Sequence, residues 1–139
     1  MFKFKKNNTY KEKQKSKRTL EKDDFFDFIG KSVLVKIDRP KGTEHKGFTY
    51  PFNYGYVVGF NAKDGEGADV YVLDDHSNIS LKPVNIIAVV YREDDIECKF
   101  VGVINKNNTY SLETISEMIS FQEHRYNSKV LLTKPTSFR

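Results

Sequence analysis

Asp64-Gly65-Glu66-Gly67-Ala68-Asp69 places three carboxylates within six residues, interleaved with glycines, just before an apolar stretch. A turn this dense in acids repels itself, and a cation or a paired base is what stabilises it. The glycines let the backbone fold tightly, so that the side chains of Asp64, Glu66 and Asp69 can converge. Carboxylate oxygens supplemented by water are the ligand set that Mg²⁺ prefers. An EF-hand loop would need Gly at its sixth position and Glu at its twelfth; Ala68 follows Gly67, the twelfth residue is Asp75, and no helical pattern flanks the turn. That reading fails. The plain alternative is an acidic β-turn facing water.

A second acidic group, Glu93-Asp94-Asp95, leads into Glu97-Cys98-Lys99-Phe100. On a strand, alternation puts Glu97 and Lys99 on one face and Cys98 and Phe100 on the other. Asp38 closes an earlier apolar segment. Acids from three segments plus a lysine make a site for a metal-bound phosphate. Cys98 then faces the core, where a thiol is inert.

Positioning these groups requires strands. Ser32–Asp38 alternates with period two, Phe48–Phe60 is dense in aromatics, and Asp69–Leu73, Ile86–Tyr91 and Glu97–Ile104 are further strand candidates. Short strands separated by turn signals suggest a small barrel, and their spacing leaves no room for repeated βαβ units. Leu112, Ile115, Met118, Ile119 and Gln122 recur at helical steps, with Ser111 as N-cap, and predict a helix to about Tyr126. An amphipathic segment from Leu20 to Ile29, ended by Gly30, is expected to pack on the body as a lid or brace. Val130-Leu131-Leu132 is a final strand or docking segment. Tyr50, Phe52, Tyr54 and Tyr56 alternate as on a base-stacking surface, but barrel packing is the better expectation.

The 139 residues are 38% hydrophobic and 30% charged, a globular composition with one domain as the default. No stretch approaches the about 18 apolar residues of a spanning helix, the first residues lack the apolar region of a secretory signal, and Cys98 has no partner for a disulfide. A cytoplasmic protein with no membrane association is expected. The net charge of +4 is uneven: residues 1–22 carry nine Lys/Arg against two Asp/Glu, a net of +7, leaving −3 for the other 117. Residues 1–22 are read as a basic, flexible extension and 23–139 as a single domain. Such an extension can contact polyanions by counterion release, or it is a solvated tail without a task.

Beyond these readings, Tyr50-Pro51-Phe52-Asn53-Tyr54-Gly55-Tyr56 followed by Asp64-Gly65-Glu66-Gly67-Ala68-Asp69-Val70 resembles the family I inorganic pyrophosphatases. Ile37-Asp38-Arg39-Pro40-Lys41-Gly42, Glu97-Cys98-Lys99-Phe100-Val101-Gly102-Val103 and Phe121-Gln122-Glu123-His124 resemble further segments of that family, in the same order. It looks most like a short, truncated member. The resemblance implies an α+β, mainly β fold: a five-stranded OB-like barrel flanked by a C-terminal helix and a short N-terminal helix. It implies Mg²⁺-dependent hydrolysis of inorganic diphosphate, with Mn²⁺ as a substitute ion. Asp64, Asp69 and Glu97 then match metal ligands, with Asp94 taken as a fourth from the shortened Glu93–Asp95 turn. Glu66 matches the acid that accepts the proton of the attacking water, Lys99 and Tyr54 match phosphate-contacting positions, and Asp38 an acid at the site's edge.

The sequence departs from the family pattern in the acidic turn and, mainly, where the product-side phosphate is held. Glu66 and Gly67 replace Asp and Pro, and the hairpin between Gly42 and Tyr50 is short. Arg39, Lys41, His45 and Lys46 are the local candidates to replace its phosphate-binding cations, and Arg125-Tyr126 stands where the family has Tyr-Lys. The small phosphate-containing substrate is therefore diphosphate, or a nucleotide or other organic diphosphate in a more open pocket. A non-catalytic module binding nucleotide or nucleic acid is the alternative of another class. Assembly with further copies of the chain stays open.

Overall fold

The computed structural model describes residues 17–63, 65–93 and 97–135. Asp64 and Asp94, and residues 1–16 of the basic extension, lie outside them. The order of elements is β1 (Arg18–Thr19), α1 (Lys22–Phe26), β2 (Ser32–Arg39), β3 (Glu44–His45), β4 (Phe48–Thr49), β5 (Asn53–Asn61), β6 (Gly67–Val72), β7 (Leu81–Arg92), β8 (Cys98–Val103), α2 (Leu112–Met118), α3 (Ser120–Glu123) and β9 (Ser128–Leu131).

Strands β5, β2, β7, β8 and β6 pair in that order, and β6 pairs back to β5, closing a five-stranded barrel. All pairings are antiparallel except β6 with β8. Closure leaves no open edge among the five. β1 adds to β5 in parallel and β9 to β7 antiparallel. β3 and β4 make a separate two-residue hairpin at the cleft described below. The expected OB-like barrel with few helices is thus the architecture found. The aromatic stretch 48–60 is two strands rather than one, separated by the Tyr50–Phe52 turn.

Alternation sorts the core into two clusters. Val35, Ile37, Val70, Val72, Cys98 and Phe100 belong to one, which Leu20, Phe25 and Phe26 of the N-terminal segment complete. Tyr50, Phe52, Tyr54, Tyr71, Val101 and Val103 belong to the other, covered by Ile115 and Ile119 of the C-terminal helical segment. Cys98 is buried as expected, and burial raises its thiol to about 11. The alternating aromatics 50, 52 and 54 are packing residues: Tyr50, Phe52 and Tyr54 are buried, Phe121 meets the Tyr50 and Phe52 rings edge-on from the helix side, and Tyr54 packs tilted against Tyr50 and Tyr71.

The expected single C-terminal helix is broken. Ser111 caps it as anticipated, its hydroxyl accepting from the Thr114 amide at 3.1 Å. A turn at Ile119 (φ −90°, ψ −1°) interrupts it between α2 and α3, and the Ser120 hydroxyl donates to the Glu117 carbonyl at 2.6 Å. A serine bonding back to the backbone competes with the helical ladder. Gly55 is required for another reason. A Cβ there would lie 2.0 Å from the Lys36 carbonyl oxygen of β2, so only glycine permits the β2–β5 approach.

Candidate active site

The second face of the sheet does not end in apolar residues. Continuing the same alternation, β5 runs from Tyr54 to Tyr56, β6 from Tyr71 to Asp69, β8 from Val101 to Lys99, and β7 from Val90 to Arg92. Together these ends form the floor of a cleft of about 590 Å³. The bulge between Ile37 and Arg39 in β2 brings Asp38 and Arg39 to one wall. The β3–β4 hairpin supplies His45, Lys46 and Phe48, and the residues after α3 supply Arg125 and Tyr126. Gly65, Glu66 and Gly67 of the acidic turn complete the rim; Gly65 has φ +86°, a conformation that favours glycine.

At the centre is a row of three groups. Lys99 Nζ donates to Tyr54 Oη at 2.7 Å, and that hydroxyl donates to Asp69 Oδ2 at 2.9 Å. Burial pushes the Asp69 carboxyl up to about 6, against the pull of Lys99 and Tyr54, and the charges of Glu97 and Asp38 push the same way. Burial holds the Tyr54 phenol well above its ordinary value, so it stays a donor. Burial also lowers the Lys99 ammonium, although Glu123, Asp69 and Glu97 oppose this. The Asp38 carboxyl is raised by burial too, with Arg39 opposing. His45 is pushed down by desolvation and by Arg39, Lys46 and Lys99.

Behind the row lies a second layer. Arg92 forks onto Glu123, with Nε to Oε1 at 3.0 Å and Nη2 to Oε2 at 2.8 Å, and its Nη1 donates to Glu97 Oε1 at 3.0 Å. Its guanidinium stacks on the Tyr126 ring, 3.5 Å from the centroid. Gln122 donates to Tyr71 Oη at 2.8 Å and accepts from Tyr50, whose hydroxyl also receives Arg39 Nη1 at 2.7 Å. Tyr71 donates in turn to Glu123.

Of the residues singled out from sequence, Tyr54, Glu66, Asp69, Glu97 and Lys99 share the cleft with Asp38, Arg39, His45, Lys46, Arg125 and Tyr126. Lys41 does not. Its side chain is exposed outside the cleft lining, and its amide is held by Asn53 Oδ1 at 2.7 Å in the turn after β2. Asp64 and Asp94 lie outside the described residues. Arg92, Gln122 and Glu123 were not foreseen as site residues. Arg92 carried a readable signal, since it falls on the buried parity of β7 with Ala88 and Val90.

Among the described residues no three His, Cys, Asp or Glu side chains gather as a ready metal site. The donor chemistry nevertheless fits a hard divalent cation at Asp69. Its carboxyl is crowded by like charges, and a cation beside it would relieve the repulsion.

The fold is a closed OB-like barrel, and it carries a cleft lined by cations and by raised carboxylates. No protein-family model matches the chain. Over 98 residues, 67% of this chain and 54% of the relative, it is 26% identical to the inorganic pyrophosphatase of Sulfolobus acidocaldarius. The chain thus spans about half the length of that relative. The crystal structure of inorganic pyrophosphatase from Ehrlichia chaffeensis superposes with a TM-score of 0.57 at 15% identity, covering 72% of this chain and 84% of that one. The corresponding figures for an inorganic pyrophosphatase from Coxiella burnetii are 0.49, 18%, 71% and 83%. The likeness is one of fold: the barrel is pyrophosphatase-like.

Proposed function

We propose that the chain is a Mg²⁺-dependent hydrolase of phosphoanhydride bonds, with inorganic diphosphate as its first substrate. The observation that carries this reading is the row Lys99–Tyr54–Asp69, an ammonium, a phenol and a crowded carboxylate joined at hydrogen-bond distance on the floor of one cleft. The similarity to inorganic pyrophosphatases in sequence and fold supports it.

Asp69, with Asp64 and Asp94 from the two acidic turns, would hold the cation, and Mn²⁺ is expected to substitute. When bound, Mg²⁺ supplies Lewis acidity toward phosphoryl oxygens and water. The chain's own groups do the rest. Lys99 is buried, fixed by Tyr54, and places positive charge where phosphoryl oxygens gain negative charge as the bond breaks. Tyr54 holds Asp69 in one orientation. Glu66, at the rim, accepts the proton of the attacking water. Arg39, His45, Lys46 and Arg125 also line the cleft and bind the departing phosphate.

Phosphate release from diphosphate with Mg²⁺, compared between the natural chain and Asp69→Asn, tests the reading; a loss of about 100-fold or more is expected. Equal rates, or no release with any divalent ion, overturn it. The size of the cleft favours a second reading, an organic diphosphate, because about 590 Å³ lies in the range of pockets that enclose drug-sized ligands. A panel of nucleoside and inorganic diphosphates separates the two.

A further inference from the structure

Glu97 was expected to coordinate the cation, yet its carboxylate is engaged. Arg92 Nη1 reaches Glu97 Oε1 at 3.0 Å, and Lys99 Nζ stands 3.6 Å from the other oxygen. Glu123 is saturated: Oε1 receives Arg92 Nε at 3.0 Å and Ser128 Oγ at 2.7 Å, while Oε2 receives Arg92 Nη2 at 2.8 Å and the Tyr71 hydroxyl. An ionised carboxylate offers about four lone-pair sites, and all four are filled. Buried Arg92, Lys99 and Glu123 and half-buried Glu97 therefore form a quartet of two positive and two negative charges that balances without any added ion. An arginine cannot give up its proton to make room. A divalent cation at Glu97 would sit beside a fixed guanidinium, a like-charge contact in a partly desolvated site. Asp69 differs, because Lys99 contacts it only through the Tyr54 hydroxyl.

We infer that Arg92 is a built-in cation of the cleft: it takes up the charge of Glu97 and Glu123, excludes Glu97 from metal coordination, and leaves Asp69 and Lys99 to the metal and the phosphate. Arg92 is a positioning residue, since it acts through the two glutamates and not on the reacting atoms. Its fork onto Glu123 keeps Lys99 at 3.8 Å from that carboxylate, so the ammonium's close bond goes to Tyr54. The inference rests on the proposed metal-dependent reading of the site.

Mn²⁺ titration of the full chain, followed by the electron paramagnetic resonance signal of the free ion, tests it without any turnover. Glu97→Gln is expected to keep the number of bound Mn²⁺ and their affinity within about threefold, while Asp69→Asn weakens binding tenfold or more. Arg92→Gln, with folding checked by circular dichroism, is expected to gain one Mn²⁺ at the freed glutamates, and Arg92→Lys to gain none. Tenfold weaker binding in Glu97→Gln overturns the inference, whether or not Arg92→Gln folds. So does a folded Arg92→Gln that gains no ion. If this pattern holds but no diphosphate is hydrolysed, the proposed activity fails and the role of Arg92 stands. If hydrolysis occurs but Glu97→Gln loses its Mn²⁺, the reverse is true.

Discussion

Asp69 is under electrostatic tension, and its consequences can be measured. Its carboxyl is displaced from an ordinary 3.8 up to about 6, first by burial and then by the charges of Glu97 and Asp38. The folded state therefore binds this proton more tightly than the unfolded one. The stability that follows is full below the unfolded value and is lost as pH rises through about 6. At neutral pH the ionised carboxylate costs up to about 3 kcal/mol. Asp69→Asn, which keeps an acceptor for Tyr54, should raise the urea midpoint in metal-free buffer at pH 8 by an amount worth about 1–3 kcal/mol and leave it unchanged at pH 4. A midpoint at pH 8 equal to that of the natural chain would sink the assignment. The same logic sets the effect of the ion. The proposed Mg²⁺ would bind the charged form, so it should raise the melting temperature of the natural chain more at pH 8 than at pH 5, and chelation by EDTA should reverse the gain. A shift independent of pH would place the ion away from Asp69.

At the scale of elements, the strands show which parts of the site can be read from a linear sequence. Alternation in β6 and β8 is strict, so Asp69 and Lys99 fall on the same parity as Tyr71 and Val101, and their presence in one cleft follows from that pattern. Arg92 obeys the same parity in β7, but a basic residue after an apolar run reads as the solvated end of a strand. Only the arrival of Glu123, 31 residues later in the chain, makes its burial understandable. The Tyr71–Glu123 and Tyr50–Gln122 contacts span 52 and 72 residues, and no local propensity encodes them. The break at Ile119 was illegible for a related reason. The apolar spacing runs through it without interruption, while the serine that bonds back to Glu117 is an ordinary helix-surface residue in sequence. Gly55 is the position where one methyl group tests an element pairing. Gly55→Ala forces a Cβ toward a backbone oxygen that cannot move without parting β2 from β5, and should cost about 3 kcal/mol or more in urea unfolding. A loss below about 1 kcal/mol would mean the strands adjust freely.

Across the whole molecule, the core cluster that the N-terminal segment closes lies on the opposite parity from the groups proposed for chemistry. The first cluster is closed by the N-terminal segment: Leu20 is fully buried, its amide donates to the Asn61 carbonyl at 2.8 Å, and Phe25 stacks on Phe100 with centroids 4.6 Å apart. Phe28 adds edge contacts to Phe100 and Phe60. Composition placed the basic extension up to residue 22, yet Arg18–Thr19 already forms a strand on β5, because Leu20 finds a core that the preceding lysines conceal in sequence. The expected brace is there, and it begins earlier than its aromatic residues suggested. Leu20 touches none of the groups proposed for catalysis, which lie on the opposite parity. Leu20→Ala should therefore destabilise the fold by about 2–5 kcal/mol, as large-to-small changes in a closed core do, while phosphate release well below the melting temperature stays within about twofold. Glu123→Ala should behave differently. It removes the fork on Arg92 and leaves a buried guanidinium short of a partner, costing about 3–5 kcal/mol, and it also frees Lys99 to move toward Glu97, so activity falls even where the protein remains folded. Urea unfolding and initial rates on the same two preparations decide the matter. If Leu20→Ala loses activity in step with its stability, the brace and the cleft are one cooperative unit, and the division between the two faces is wrong.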